Sequence, residues 1–287
     1  MKATYRLTLG ISGFLGALVL NTGTAAGSSL YSSIKPNVTQ DNPLKISTEG
    51  TDIVGGVPSQ GNTYIAETVV SVYDGSQDVL CSGVIISDNI VVTAAHCLGE
   101  NPQDIENPQD MVVVFGLEFE SSVQLKVDKA EPSPYWKSSN EIPGDIALVH
   151  FVGKIPAGFR AASMVSSTNF LQVGTPVVLA GYGIDNEDAK TGAGILRLAN
   201  AKIENPTYDQ SEIEVDQTAG AGACEGDSGG PGYAQISGKY YLWGITNGGL
   251  SASCHGYSVY TNISFYILWI QNTAVKLSTS VTSQYFQ

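Results

Sequence analysis

Three short segments of this 287-residue chain carry side chains able to do acyl-transfer chemistry. Thr93-Ala94-Ala95-His96-Cys97 sets a histidine beside a cysteine. Asp145-Ile146-Ala147-Leu148-Val149 puts a carboxylate at the head of an apolar run, and Gly226-Asp227-Ser228-Gly229-Gly230-Pro231 puts a serine among glycines. A serine hydroxyl is a weak nucleophile until an adjacent base takes its proton. An imidazole titrates near neutrality and suits that task, and a carboxylate can hold the ring in one tautomer and stabilise the imidazolium that forms. Glycines beside the serine let the backbone turn tightly and a substrate approach. Alone, each segment says little, because an Asp-Ser pair commonly marks a turn and a His-Cys pair commonly lies in a core. His150 and His255 lack comparable neighbours and read as structural or surface residues.

The elements that must position these groups are short strands. From Ile53 onward, β-branched and aromatic runs recur between turn residues: Thr68–Tyr73, Gly83–Ile86, Ile90–Thr93, Met111–Phe115, Ile146–Phe151, Pro176–Ala180, Tyr240–Ile245 and Tyr257–Tyr260. Such spacing predicts a sandwich or barrels rather than βαβ units. One helix is predicted near the end, with Ser264 as its N-cap ahead of Tyr266, Ile267, Trp269 and Ile270. The composition, 43% hydrophobic and 14% charged with 32 glycines, suffices for one large core or two smaller ones. The net charge of −13 argues against nucleic acid and anionic membranes as partners. The pentapeptide Glu100–Asp104 is repeated at Glu106–Asp110, as a surface-loop insertion would be. Its carboxylates lack regular calcium-ligand spacing and no Cys-x-x-Cys pair exists, so neither metal nor cofactor is called for.

The N-terminus reads as a secretory signal peptide over residues 1–26. Lys2 and Arg6 precede the 14-residue apolar run Leu7–Leu20, and small residues follow at Thr24-Ala25-Ala26-Gly27. That run is shorter than the roughly 20 residues that span a bilayer. Residues 27–52 are polar and aperiodic, in the manner of a pro-segment. Cys81, Cys97, Cys224 and Cys254 form an even set in an exported chain and suggest two disulfides, with three connectivities open. Asn37-Val38-Thr39 and Asn262-Ile263-Ser264 fit the N-glycosylation pattern.

In the order His, Asp, Ser, the three segments resemble the trypsin/chymotrypsin family of serine peptidases; subtilisins and α/β-hydrolases order theirs differently. The Gly-x-Ser-x-Gly elbow of the latter is matched only by overlap, with no strand before it. The resemblance runs from Ile53 to about Thr273 and takes in Ile53-Val54-Gly55-Gly56, Gly181-Tyr182-Gly183 and the terminal helix. It implies an all-β fold of two antiparallel six-stranded β-barrels with a C-terminal α-helix. The first barrel would cover about 53–160, the second about 161–263 and the helix about 264–275, with a tail beyond and the site in the cleft between the barrels. It further implies His96 as base, Asp145 as its orienting partner, Ser228 as nucleophile, and the N–H groups of Gly226 and Ser228 as an oxyanion hole. Cys81 would pair with Cys97, and Cys224 with Cys254.

In this family a cut before the equivalent of Ile53 frees an ammonium that pairs with the aspartate preceding the nucleophile, here Asp227. Asp52 stands where a basic residue is usual, so the implied activating peptidase cuts after Asp or trims stepwise. Gly222, six residues before Ser228, would lie at the base of the specificity pocket with Ala223, Thr246, Gly249 and Ser258 around it. No counter-charge is present there, which favours apolar or aromatic substrate side chains. The usual Ser-Trp-Gly wall is replaced by Thr246-Asn247-Gly248-Gly249. The run Gly244 to Gly249 also resembles bacterial glutamate-specific relatives, which carry a histidine where Thr246 stands. The implied protein is a secreted, monomeric serine endopeptidase acting through an acyl-enzyme on protein or peptide substrates, with no membrane attachment once the signal is removed. The alternative is a homologue that binds a partner protein without catalysis.

Overall fold

The structure is a computed structural model that describes residues 53–54, 56–137, 143–250 and 253–277. The signal peptide, the pro-segment with Asp52, the Asn37 sequon and the tail lie outside the described residues. In chain order the strands are β1 (Val57–Pro58), β2 (Val69–Asp74), β3 (Val79–Ser87), β4 (Ile90–Thr93), β5 (Met111–Phe115), β6 (Val123–Pro132), β7 (Ala147–Phe151), β8 (Pro176–Gly181), β9 (Arg197–Asn205), β10 (Glu212–Asp216), β11 (Pro231–Ile236), β12 (Lys239–Gly249) and β13 (Tyr257–Asn262). Helix α1 follows at Ile263–Leu277.

Strands β2-β3-β4-β7-β6-β5 close into one barrel. In the other sheet β9-β10-β13-β12-β11-β8 closes through the β8–β9 pairing, and the short β1 pairs with Arg197 and Leu198 at the start of β9. The fold is therefore two closed, antiparallel, six-stranded barrels and one terminal helix.

The apolar runs divide into three cores by the twofold alternation of strand side chains. In β4, Val91 points into the first barrel with Val149 and Phe151, while Ile90 and Val92 face the seam between barrels with Leu148. Both faces are covered, so these strands read as continuous apolar runs rather than alternating ones. The second barrel has its own core of Leu179, Ala199, Ile213, Trp243 and Tyr260. Polar bonds tie the seam: Thr68 Oγ1 lies 2.8 Å from the Tyr233 hydroxyl, and the Tyr182 hydroxyl donates to the Gly116 carbonyl at 2.7 Å.

Helix α1 lays Tyr266, Ile270, Ala274 and Leu277 onto the seam, a stripe at helical spacing. Its cap differs from the predicted Ser264. Asn262 Oδ1 accepts from the Ser264 amide at 3.0 Å, so the cap lies two residues earlier and the helix begins at Ile263. The C-terminal end is anchored on the first barrel, where Lys129 Nζ donates to the Leu277 carbonyl at 3.1 Å. No described helix is long and apolar enough to cross a membrane.

Candidate active site

The first barrel supplies two groups through strand pairing. Strand β4 pairs with β7, setting Thr93 opposite Ala147. The chain leaving β4 enters a 3-10 turn, Ala95–Leu98, and the chain entering β7 carries Asp145, so the pairing register brings the two together. The Cys81–Cys97 disulfide fastens that turn to β3. Asp145 is buried and grips His96 at two points: Oδ2 lies 2.6 Å from His96 Nδ1, and Oδ1 accepts the His96 backbone N–H at 2.9 Å. With Nδ1–H directed at the carboxylate, Nε2 is the nitrogen left to take a proton. From the second barrel, Thr261 Oγ1 donates to the Asp145 carbonyl at 3.0 Å. Burial alone would push the His96 ring down, but the hydrogen bond and charge of Asp145 outweigh it, and the ring sits above its ordinary 6.5.

The second barrel supplies a backbone turn. Asp227 N–H donates to Cys224 C=O at 3.0 Å, Gly230 N–H to Asp227 C=O at 2.8 Å, and Gly229 N–H to Thr246 C=O at 2.9 Å. Ser82 of β3 donates its N–H to the Ser228 carbonyl at 2.8 Å, tying the turn to the first barrel. Gly229 has φ of 82°, and a Cβ there would lie 2.1 Å from Thr93 Oγ1, so both the conformation and the space demand glycine. Cys97 Sγ lies 3.7 Å from the Ser228 carbonyl; the oxidised sulfur carries no proton, so this is a packing contact. The structure thus joins His96 to Asp145 directly and sets Ser228 against the turn that carries His96. Among the described residues no hydrogen bond yet links the Ser228 hydroxyl to the imidazole, a bond that commonly tightens only around substrate. The amides of Gly226 and Ser228 likewise have no acceptor among the described residues. Two unpaired donors in one turn can receive a developing negative charge.

Asp227 is fully buried. Its Oδ1 accepts from Gly183 N–H and its Oδ2 from Cys224 N–H, both at 2.8 Å. Burial pushes this carboxyl up to about 6, against the pull of those two amides and of the Arg197 charge. Ile53 is buried with Leu179 and Ala199, and the neighbouring Val54 carbonyl accepts the Gly222 amide at 2.9 Å.

Beside Ser228 lies a hollow of about 220 Å³ whose lining includes Gln217, Ala223, Thr246, Gly249 and Tyr257. The Cys224–Cys254 disulfide braces its rim. Gly222 and Ser258, expected at its base, lie behind Gln217. A Cβ on Gly222 would stand 2.4 Å from Gln217 Nε2, and Ser258 Oγ donates to Gln217 Oε1 at 2.8 Å. Ala223 N–H donates to the same oxygen at 2.9 Å. Sequence reasoning missed Gln217, which reaches the floor from the turn after β10. It also missed Glu212, a buried carboxyl that accepts from Asn247 Nδ2 at 2.7 Å. Burial pushes Glu212 up to about 7, with Asn247 opposing and the charges of Asp209 and Asp145 adding. His150 is held between Asp128 and Asn89 on the first barrel, in keeping with a structural role.

Comparison with known proteins points the same way. The family profile described as Trypsin matches residues 53–270. Chymotrypsin-like elastase family member 1 of Felis catus is 26% identical over 249 residues, covering 77% of this chain and 88% of that protein. Brachyurin of Leptuca pugilator is 28% identical over 231 residues, covering 76% and 97%. Among solved structures, neuropsin, a serine protease expressed in the limbic system of mouse brain, superimposes with a TM-score of 0.62 over 76% of this chain and 98% of its own. At 23% identity that likeness speaks for the fold alone.

Proposed function

Because the chain belongs to the trypsin family of serine peptidases, we propose that it is a secreted endopeptidase that cleaves peptide bonds after uncharged, chiefly apolar or aromatic, side chains. The observation that carries this reading is the two-point grip of Asp145 on His96 beside a serine turn with two unpaired amides. In the proposed reaction Ser228 Oγ attacks the carbonyl carbon of the scissile bond as its proton passes to His96 Nε2. The oxyanion receives the N–H groups of Gly226 and Ser228. His96 then returns the proton to the leaving amine, which departs as the acyl-enzyme forms, and water repeats the cycle to release the acid. The imidazolium of each step rests against Asp145.

The neutral carboxamide of Gln217 on the pocket floor supports the uncharged preference, since a Lys or Arg side chain would be buried there without a counter-charge. Activation by a cut before Ile53 has conformational support. Ile53 has φ of 43°, unusual for a β-branched residue, and loss of the preceding carbonyl removes the clash that disfavours it. The new ammonium would then compensate the buried Asp227 carboxylate.

The test is a cleavage profile. A chain beginning at Ile53 is incubated with a diverse peptide mixture and the cut sites are read by mass spectrometry, with Ser228→Ala as control. Cuts after Phe, Tyr, Leu or Met that fall by about 10⁴-fold or more in the control are expected. Residual hydrolysis within tenfold would remove Ser228 from its role. A folded chain that cuts nothing would favour a homologue that binds a partner without catalysis.

A further inference from the structure

Arg197 opens β9, and its guanidinium is almost completely buried, at 2% exposure. A buried guanidinium is retained only where its donors find acceptors. Here Nη2 donates to Asp185 Oδ2 at 2.9 Å, while Nη1 reaches the carbonyls of Gly183, at 3.3 Å, of Ile195, at 3.4 Å, and of Gly192. All four acceptors lie on the loop from Gly183 to Ile195 that joins β8 to β9, so one side chain fixes both the start of that loop and its return.

What the start of the loop touches gives the clamp its meaning. Gly183 N–H donates to Asp227 Oδ1, and Ile184 N–H donates to the Glu225 carbonyl at 2.9 Å. Gly183 and Ile184 are thus pinned to the serine turn by their amides, while the Gly183 carbonyl and the Asp185 carboxylate hold the same stretch to Arg197. A trans peptide is planar, with C=O and N–H pointing opposite ways. Holding the Glu225 carbonyl toward Ile184 therefore turns the Gly226 N–H the other way, and this is one of the two unpaired donors. A Cβ on Gly183 would stand 2.6 Å from the Asp227 carboxyl, so the loop has no slack at that contact.

We propose that Arg197 is a positioning residue for the oxyanion hole: through Gly183, Ile184 and Asp185 it fixes the Glu225–Gly226 peptide and so aims the Gly226 N–H. The inference rests on the hydrolytic reading above. Arg197 does not line the hollow beside Ser228, so its loss is expected to act on the transition state and to leave ground-state binding in place.

The experiment uses the chain beginning at Ile53 and steady-state kinetics on a short peptide ester and a peptide amide. The double variant R197M,D185N removes both charges, so neither is stranded in the interior. Expected is a fall in kcat of about 10²-fold, the scale of one lost oxyanion donor, with KM within threefold of wild type. R197K keeps the charge but lacks the fork that reaches Asp185 and the Gly183 carbonyl together, and should fall about tenfold in kcat. Both variants at wild-type kcat would overturn the inference, as would a rise in KM at unchanged kcat. Should the double variant fail to fold, R197K decides: lowered kcat at constant KM supports the clamp, and unchanged kcat overturns it. A wild type with no Ser228-dependent turnover would overturn the hydrolytic reading itself, whereas a wild type that turns over beside unaffected variants overturns the clamp alone.

Discussion

The two halves of the site are built by different means. The first barrel delivers side chains: His96 and Asp145 sit at the ends of paired strands, and their contact follows from the β4–β7 register. The second barrel delivers backbone: the Ser228 turn is held by amide bonds from Gly183, Ile184, Ser82 and Thr246, and the proposed oxyanion donors, the Gly226 and Ser228 amides, have no acceptor among the described residues. A half made of side chains breaks when one residue changes. A half made of backbone breaks when whatever holds the backbone changes, and that can lie some distance along the chain.

The largest effect should come from the first half. Asp145→Asn keeps the shape but offers an amide to Nδ1 and Nε2 tautomers alike, and kcat should fall by about 10⁴. The pH profile sharpens the point. His96 must be neutral to act as base, so activity falls as pH drops through its folded value, which Asp145 holds above 6.5. In the variant the hydrogen bond and charge are gone and burial remains, so the acidic limb of kcat/KM should move to lower pH. A limb that stays in place would show that Asp145 does not set the base.

A smaller effect, on selectivity rather than rate, is expected in the second half. Gln217→Glu puts a carboxylate where Ser258 Oγ and Ala223 N–H already donate to Oε1. A charge-assisted bond contributes about 1.5–3 kcal/mol, so cleavage after Lys or Arg relative to Leu or Phe should rise by roughly 10–100-fold. An unchanged profile would mean that Gln217 does not form the floor. The pair of variants separates the halves: one alters rate and pH limb, the other alters what is cut.

The same division explains what could be read from the sequence. His96, Asp145 and Ser228, the residues proposed to act, could be singled out because each sits in a short motif whose residue types the chemistry demands. The strands β2–β5, β7, β8, β12 and β13 were legible wherever both faces are covered and the runs are apolar. Strand β6 was not, since Lys126, Asp128, Lys129 and Glu131 interrupt it on an exposed face, and β9, β10 and β11 carry Asn, Lys, Glu and Gln on theirs. Gln217 and Arg197 were illegible for a deeper reason. A glutamine after a strand and an arginine among Leu196, Leu198 and Ala199 read as surface residues. Only the barrel closure that brings β10 beside the pocket, and folds the 183–195 loop over Arg197, makes them interior.

The smallest expected effect tests how the second half handles buried charge. Asp145 has an imidazole partner, whereas Glu212 has, among the described residues, the Asn247 amide alone. Its folded value of about 7 lies above the ordinary 4.5, so it contributes stability below about pH 4.5 that is lost as pH rises through 7. Glu212→Gln keeps a carbonyl oxygen for Asn247 and removes the charge. The variant should match wild type near pH 4.5 and exceed it by about 1–3 kcal/mol at pH 8 in denaturant melts, with kcat/KM within threefold. Equal stability at both pH values would place the Glu212 carboxylate in contact with water or a cation. Glu212 would then be sheltered as Asp145 is, by a partner for its charge.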